Sequence, residues 1–99
     1  MTKTYHFKTK VFVHPGKAAW YFTTLPVDIA KEINYFFSHA KRGWGSLRVS
    51  VQVGATTWET SIFPDKKSSS FMLPLKVAVR EKEGMTLGKR VTFIIRLSD

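Results

Sequence analysis

A short stretch of the sequence occurs twice, and this repeat constrains the fold more than any other feature. Residues 25–30 read Leu-Pro-Val-Asp-Ile-Ala, and residues 73–78 read Leu-Pro-Leu-Lys-Val-Ala. After each stretch come a glycine and then a segment of alternating apolar residues, which is the pattern of a half-buried strand. We therefore expect one small barrel built from two similar halves, with a pseudo-two-fold internal repeat.

The length and composition are those of one folded domain that spans residues 1–99. Of the 99 residues, 43% are hydrophobic, which is enough apolar material for one core without a metal or a disulfide. Cysteine is absent, which excludes disulfides, thiolate catalysis and cysteine-zinc sites and fits a reducing compartment. No stretch approaches the roughly 20 apolar residues that a membrane helix needs. We expect a soluble, cytoplasmic protein with no membrane contact.

The chain is strongly basic, but its charge is not concentrated. Sixteen Lys and Arg residues against seven Asp and Glu residues give a formal net charge of +9. The excess is spread along the sequence, which supports weak attraction to any polyanion. The dense basic arm or stripe that is typical of nucleic-acid-binding proteins is missing.

The hydrophobic pattern predicts six or seven short strands and two short helices. Alternation with a period of two predicts strands at residues 5–13, 20–24, 47–53, 56–62 and 91–96, with a further segment at 71–73 that opens the second copy of the repeat. One helix is predicted from a cap at Asp28 to about Ser38, and the other from Lys76 to Glu83 with Gly84 as its left-handed cap. Many short strands joined by tight turns favour a closed barrel.

Two loops stand out between these elements. In residues 40–46, Gly43 and Gly45 permit positive φ on both sides of Trp44. Residues 64–70 read Pro-Asp-Lys-Lys-Ser-Ser-Ser and are expected to form an exposed loop, the most mobile part of the domain.

Several of these segments together resemble the DUF1905 family over nearly the whole chain. The resemblance is carried by Trp20, Leu-Pro at 25–26, Arg-Gly-Trp-Gly-Ser-Leu-Arg-Val at 42–49, Thr-Ser-Ile-Phe-Pro-Asp-Lys-Lys at 60–67 and Leu-Pro-Leu-Lys-Val-Ala-Val-Arg at 73–80. It implies a double-split β-barrel, the architecture of DNA-binding proteins of the AbrB and MazE type. The expected fold is thus mainly β, a small closed double-split barrel.

The second copy of the repeat is also similar to the AbrB half-barrel, which pairs with a second chain to form a dimer. In that family an acidic residue usually follows the last glycine, whereas Lys89 follows Gly88 here. With both copies in one chain, a monomer can replace the dimer. Because the two-fold spacing of operator half-sites comes from the dimer, operator binding does not transfer directly.

The sequence offers little to support an enzyme. His6, His14 and His39 lie on different predicted elements and show no metal-ligand spacing. No serine sits in a nucleophile elbow, and no paired His and Asp is suggested by position. Residues 84–90 are one residue short of a phosphate-binding loop and place Arg90 where Ser or Thr must hold magnesium. We expect no catalytic activity, no metal and no cofactor.

One set of residues has the composition of an anion site. Cations supply charge, hydroxyls and glycine-flanked backbone N–H groups supply donors, and an indole can stack on a planar ligand. The candidate residues are Arg42, Trp44, Ser46, Ser61, Lys66, Lys67, Lys76 and Arg80. Under the alternative interpretation, Trp44 and Trp58 are core or barrel-end plugs, Arg80 ties its helix to a sheet carbonyl, and the lysines are simply solvated.

Two functions from different classes follow from these residues. The first is a binding module for a small anionic or planar ligand or for a protein partner, with a concave site near Trp44, Lys66, Lys76 and Arg80. The second is a nucleic-acid-binding, AbrB-like barrel, which requires a continuous basic face. A catalytic function would need a carboxylate or a histidine in the same pocket.

Overall fold

The computed structural model describes residues 1–15 and 19–99. In these residues seven strands and two α-helices form. The strands are β1 (Thr2–Lys10), β2 (Phe12–His14), β3 (Trp20–Thr24), β4 (Leu47–Val53), β5 (Thr56–Asp65), β6 (Ser70–Leu75) and β7 (Arg90–Ser98), and the helices are α1 (Val27–Phe37) and α2 (Val77–Glu83). Among the described residues, no helix has the length and apolar character required to cross a membrane.

The strands form a mainly antiparallel sheet that curls into a half-barrel in the order β1-β7-β4-β5-β6-β3-β2. This confirms the prediction of a β-rich fold with two short helices. The first and last strands in that order are consecutive along the chain, separated only by Val11. The two edges of the sheet are therefore joined through one residue.

The sequence predicted a single strand over residues 5–13, and this prediction is wrong at Val11. The side chain of Val11 is fully buried. Its N–H donates to the carbonyl of Lys89, and its carbonyl accepts from the N–H of Gly88, both at 2.9 Å. The backbone of Val11 thus bonds to the segment before β7, and the chain turns there from one edge of the sheet to the other.

The strand pairings of the first half are repeated in the second half. β1 pairs with β7, and β2 pairs with β3. In the second half one long strand, β5, takes part in both pairings. It pairs with β4 over residues 56–62 and with β6 over residues 63–65. Each half continues from its inner strand into a helix, β3 into α1 and β6 into α2.

In the structure, the two copies of the repeat align two residues away from the alignment that the sequence suggests. Pro26 is the N-cap of α1, so that helix starts directly after Leu-Pro. Pro74 instead lies inside β6, and α2 starts at Val77 after the N-cap Lys76. Structurally, buried Leu25 therefore corresponds to buried Leu75 and not to Leu73.

The first helix buries one apolar face in the core. Ala30, Ile33 and Phe37 are buried, at the i, i+3 and i+7 spacing that places side chains on one helix face. Asp28 lies in the first turn and is not the N-cap, contrary to the prediction. A carboxylate in the first turn still interacts favourably with the helix dipole.

Residues 64–70 contain less loop than the sequence predicted. β5 extends through Pro64 to Asp65, and only residues 66–69 form a turn. Ser70, predicted to be exposed, is buried and donates its Oγ hydrogen to the carbonyl of Leu25 at 2.7 Å. This hydrogen bond ties the two halves of the repeat together.

Tyr5 ties β1 to α1. Its side chain is 8% exposed, and its Oη donates to Oε1 of Glu32 at 3.4 Å. Burial, and then the neighbouring negative charge of Glu32, raise the pKa of Tyr5 from 10.0 to about 12.

Substitution of Trp58 tests where the core lies. Its side chain is only 7% exposed on β5, so Trp58→Ala should lower the free energy of unfolding by about 3–5 kcal/mol. Trp44→Ala should change it by less than about 0.5 kcal/mol, because the Trp44 side chain is 94% exposed. Urea unfolding of both variants makes the comparison, and equal losses would contradict this assignment of the core.

The raised pKa of Tyr5 predicts a loss of stability at high pH. Between pH 10 and about 12 the unfolded chain releases the Tyr5 proton while the folded chain keeps it. The unfolded state then binds fewer protons, so the free energy of unfolding falls as the pH rises through this window. Ultraviolet titration of tyrosinate should show a component near pH 12 that Tyr5→Phe removes, and a Tyr5→Phe variant that instead loses a component near pH 10 would contradict the burial of this phenol.

Candidate functional site

A tight turn at residues 43–45 presents Trp44 to solvent. The N–H of Arg42 donates to the carbonyl of Ser46 at 2.8 Å, and the N–H of Gly45 donates back to the carbonyl of Arg42 at 2.9 Å. The backbone of this turn is therefore held from within. At its tip the Trp44 side chain is 94% exposed.

Only one of the two glycines predicted to allow positive φ in this turn adopts it. Trp44 itself has φ of 63°, Gly45 has φ of 76°, and Gly43 is not in the left-handed region. Gly45 is also fixed by packing, because a Cβ there would lie 3.0 Å from Cγ of Pro64 on β5. A bulky residue with positive φ is strained, and such strain is concentrated at functional sites.

Beside this turn, β4 and β7 separate and leave a recess. The two strands pair only over residues 50–52 and 94–96, although both continue beyond them. The opening has a volume of about 220 Å³. Its polar lining includes Arg42 and Arg48, and its apolar lining includes Phe37 and Leu47. The recess therefore combines two guanidinium groups with an apolar floor.

The acidic residue that lines the recess is Asp99, and both of its carboxylate oxygens already have partners. Oδ1 of Asp99 lies 2.6 Å from the amino group of Met1, and Oδ2 lies 3.1 Å from Nε2 of His39. The hydrogen bond from the amino group, followed by that from His39, holds the pKa of Asp99 below its usual range. Within residues 1–15 and 19–99, neither Arg42 nor Arg48 forms an ion pair with an acidic side chain. Their charges are available to an anion.

The outward face of the sheet extends the polar surface from the recess. One row of side chains crosses four strands, from Thr4 through Arg96 and Ser50 to Glu59. Arg96 and Ser50 line two further shallow depressions, of about 310 and 260 Å³. We call this surface the polar face, and it consists of Thr4, Arg48, Ser50, Gln52, Thr57, Glu59, Ser61 and Arg96.

The structure divides the eight predicted site residues into two groups. The first group lies at the end of β5 that carries Pro64, and it contains Arg42, Trp44, Ser46, Ser61, Lys66 and Lys67. Ser61 accepts a hydrogen bond from Nη1 of Arg48 at 3.3 Å. Lys66 and Lys67 are exposed in the turn that directly follows β5. Ser46 is almost buried, so its backbone contributes to the turn more than its hydroxyl does.

Lys76 and Arg80 form the second group and lie away from the recess. Their helix α2 contacts the opposite end of β5, where Thr56 donates to Oε2 of Glu83 at 2.5 Å. Lys76 lines a cleft with Trp58 and Thr60, and Arg80 lines another with Tyr21 and Met85, whereas the recess is lined by Arg42. The two groups therefore line different openings.

The guanidinium of Arg80 is used within the fold. Its Nε donates to the carbonyl of Leu75 at 3.0 Å, and its charged group lies 3.7 Å from the centre of the Tyr21 ring. These contacts tie α2 to the sheet, which is the alternative that the sequence left open. Lys76 lines a separate cleft of about 170 Å³ together with Trp20 and Trp58.

Two cations of this surface were missed as site residues from the sequence. Arg48 and Arg96 both sit at outward positions of strands whose alternation was predicted correctly. The alternation places each one on an outer face. What could not be seen was that β4 and β7 are neighbours, which puts Ser50 directly beside Arg96.

Two side chains form a His–Asp pair that the sequence did not suggest. His39 and Asp99 are in contact although they lie far apart in the chain. In the described part of the chain, no serine or threonine hydroxyl is hydrogen-bonded to His39. The same residues contain no group of three or more His, Asp or Glu side chains that could hold a metal ion.

A family model described as "Domain of unknown function (DUF1905)" matches residues 7–95, nearly the whole chain. This match agrees with the resemblance seen in the sequence. Comparison with curated proteins gives no match.

The backbone of the Trp44 turn can be tested with two glycine substitutions. Gly45→Ala should lower the free energy of unfolding by about 1–2 kcal/mol, because alanine is strained at positive φ and its Cβ would press on Pro64. Gly43→Ala is the matched control, since nothing lies within 4 Å of its Cβ position, and it should be neutral or slightly stabilising. If thermal unfolding ranks the two variants in the opposite order, the conformation of this turn is wrong.

Proposed function

The chain belongs to the DUF1905 family, whose function is unknown, and from this premise we propose that it is a non-enzymatic binding module for a small anionic ligand. The ligand binds at the recess between β4 and β7. The observation that carries the proposal is the pair Arg42 and Arg48, which line an apolar-floored recess without forming an ion pair to an acidic side chain of the described chain. Arginine is suited to bidentate recognition of carboxylate or phosphate.

Trp44 supplies the second part of the recognition. The indole is held outward at the tip of a strained turn next to Arg42. An exposed indole offers a flat apolar surface on which a planar group can stack. A ligand that is both anionic and planar satisfies the guanidinium groups and the indole together. A partner protein that presents a carboxylate beside an apolar side chain has the same chemistry.

We propose no catalysis at the recess, because the groups that it would need are already engaged. Asp99 lines the recess and contacts His39, and these are the residue types that a catalytic function would need. Both carboxylate oxygens of Asp99 are engaged, one by the Met1 amino group and one by His39. With both oxygens engaged, the Asp99 carboxylate is a poor proton acceptor at neutral pH, because its pKa lies below the usual range.

Binding of duplex nucleic acid in the manner of AbrB is the second candidate. Outward cations occur at both ends of the β1–β7 pair, with Lys10 opposite Arg90 at one end and Arg96 at the other. Between them Lys8 lies opposite Thr92, and His6 lies opposite Ile94, so the cations on these two strands are interrupted at the His6–Ile94 pair. The recess lined by Arg42 and Arg48, in contrast, fits a small anion better than an extended duplex backbone.

We further propose that the half-barrel is of the closed, double-split type and that the protein is a cytoplasmic monomer. The swapped pairings of β1, β2 and β5 and the connection of both sheet edges at Val11 support the barrel. The presence of both halves in one chain supports the monomer, since no second chain is needed to complete the repeat. The cysteine-free composition fits a reducing compartment.

Titration with inorganic phosphate and with 2-naphthalenesulfonate, followed by amide and indole NMR shifts, tests the recess. We expect shifts centred on residues 42–48 and weakening by about tenfold or more in Arg42→Gln with Arg48→Gln, because two charge-assisted hydrogen bonds are lost. The indole signal of Trp44 should move with naphthalenesulfonate and much less with phosphate.

A charge-matched pair of variants separates site residues from general charge. Lys66→Ala with Lys67→Ala should weaken binding by about twofold to threefold and change the free energy of unfolding by less than about 0.5 kcal/mol. Lys31→Ala with Lys82→Ala removes the same charge from exposed positions on α1 and α2 and should leave binding nearly unchanged. Equal effects of all three double variants would show that only net charge attracts the anion.

A further inference from the structure

The outer side of the β5-β6-β3-β2 half of the sheet is apolar and exposed. Its side chains form a grid that follows from the strand register, with Phe22 between Phe12 and Pro74, and Met72 beside Phe63. His14 and Trp20 form a further row at one end. We call this surface the aromatic face, and it consists of Phe12, His14, Trp20, Phe22, Phe63, Met72 and Pro74.

The aromatic rings of this face form a continuous ribbon. The Phe12 and Phe22 centroids are 5.7 Å apart, the Phe22 and Trp20 centroids are 5.0 Å apart, and the Trp20 and His14 centroids are 5.7 Å apart. Neighbouring rings are tilted by 31–40°. The ribbon crosses two strands and is built from side chains that point away from the core.

These rings are not needed to fill the core. Phe12, Trp20 and Phe63 are 42%, 39% and 41% exposed. On the polar face the corresponding outward positions of β4 hold Ser50 and Gln52, which is what a solvated sheet surface normally carries. A contiguous exposed apolar surface on a small domain marks an interaction site.

The positive charges around the aromatic face favour an anionic occupant. Lys76 lines the same cleft as Trp20 and Pro74 at one end of the face. Lys66 and Lys67 lie in the turn that follows Phe63 at the other end. The face itself contains no acidic side chain. A second copy of the chain would bring another formal charge of +9 against this one, whereas a polyanion would be attracted.

We propose that the aromatic face binds single-stranded nucleic acid. Unpaired bases stack on Trp20, Phe22 and Phe12, and the phosphates contact Lys76 at one end and the 66–67 turn at the other. Stacking on exposed aromatics combined with lysine contacts to the backbone is the physical basis of single-strand binding without sequence preference. A duplex keeps its bases inside and cannot use the rings. This site is separate from the recess and does not depend on the function proposed for it.

Fluorescence anisotropy of a labelled oligo-dT strand of about 15 nucleotides, compared with a duplex of the same length, tests the proposal. At about 50 mM salt we expect the single strand to bind at least about fivefold more tightly than the duplex, since each stacked base adds affinity that a duplex cannot gain. Raising the salt to about 200 mM should weaken binding, and Lys76→Ala should reduce the slope against log salt by about 0.7.

Variants of the two surfaces distinguish this site from the recess. Trp20→Ala and Phe12→Ala should each weaken single-strand binding by about fivefold or more. Tyr35→Ala, which removes an aromatic that is 81% exposed on α1, should have an effect below about twofold, as should Arg42→Gln with Arg48→Gln. Thermal unfolding of each variant verifies that it is folded, and Phe12→Ala and Trp20→Ala give independent tests if one of them is not.

Three results would overturn the proposal. One is the absence of single-strand binding at about 50 mM salt. Another is binding that is equal for duplex and single strand and is unchanged by Trp20→Ala, which would show that only net charge attracts the nucleic acid. The third is a concentration-dependent dimer in light scattering that Phe12→Ala and Trp20→Ala abolish, which would make a second copy of the chain the occupant. Loss of phosphate binding at the recess would leave this proposal unaffected.

Discussion

The buried Val11 and its two backbone hydrogen bonds to Gly88 and Lys89 are the constraint on which the rest of the structure depends. A strand that continued straight through this position would stay on one edge of the sheet. Because Val11 turns into the core, β1 pairs with β7 on one side, and β2 pairs with β3 on the other. The curl of the half-barrel and the separation of its outer surface into two faces both follow from this turn.

The two outer faces have different chemistry because they belong to different halves of the curled sheet. The β1-β7-β4-β5 half presents hydroxyls, an amide and arginines, with the recess at the point where β4 and β7 separate. The β5-β6-β3-β2 half presents aromatic rings. Since β5 contributes to both, the turn that carries Lys66 and Lys67 begins two residues after Pro64, which packs against Gly45, and three residues after Phe63. Those lysines can therefore act in anion binding at either surface.

Local signals in the sequence predicted local structure well and non-local contacts poorly. The hairpin of residues 47–62 and the left-handed cap at Gly84 were predicted because each depends on neighbours along the chain. Asp28 was wrongly expected to cap α1, because the N-cap of that helix lies two residues earlier, at Pro26. Ser70 was expected in a mobile loop, yet its hydroxyl bonds to Leu25, a residue of the other half. Arg80 was placed in the anion site, whereas Tyr21 and Leu75 hold it within the fold.

The sequence by itself determined the family, the β-rich class and the residues that point outward, because alternation and short motifs are encoded within single elements. The tertiary structure alone decided which outward residues become neighbours. The pairing of β4 with β7 places Arg96 beside Ser50, and the separation of the same strands opens the recess beside Arg42 and Arg48. It also decided that Lys76 and Arg80 lie apart from Trp44, and that Phe12, Phe22 and Trp20 share one surface. Strand register between distant segments is set by packing of the whole core, which no local pattern specifies.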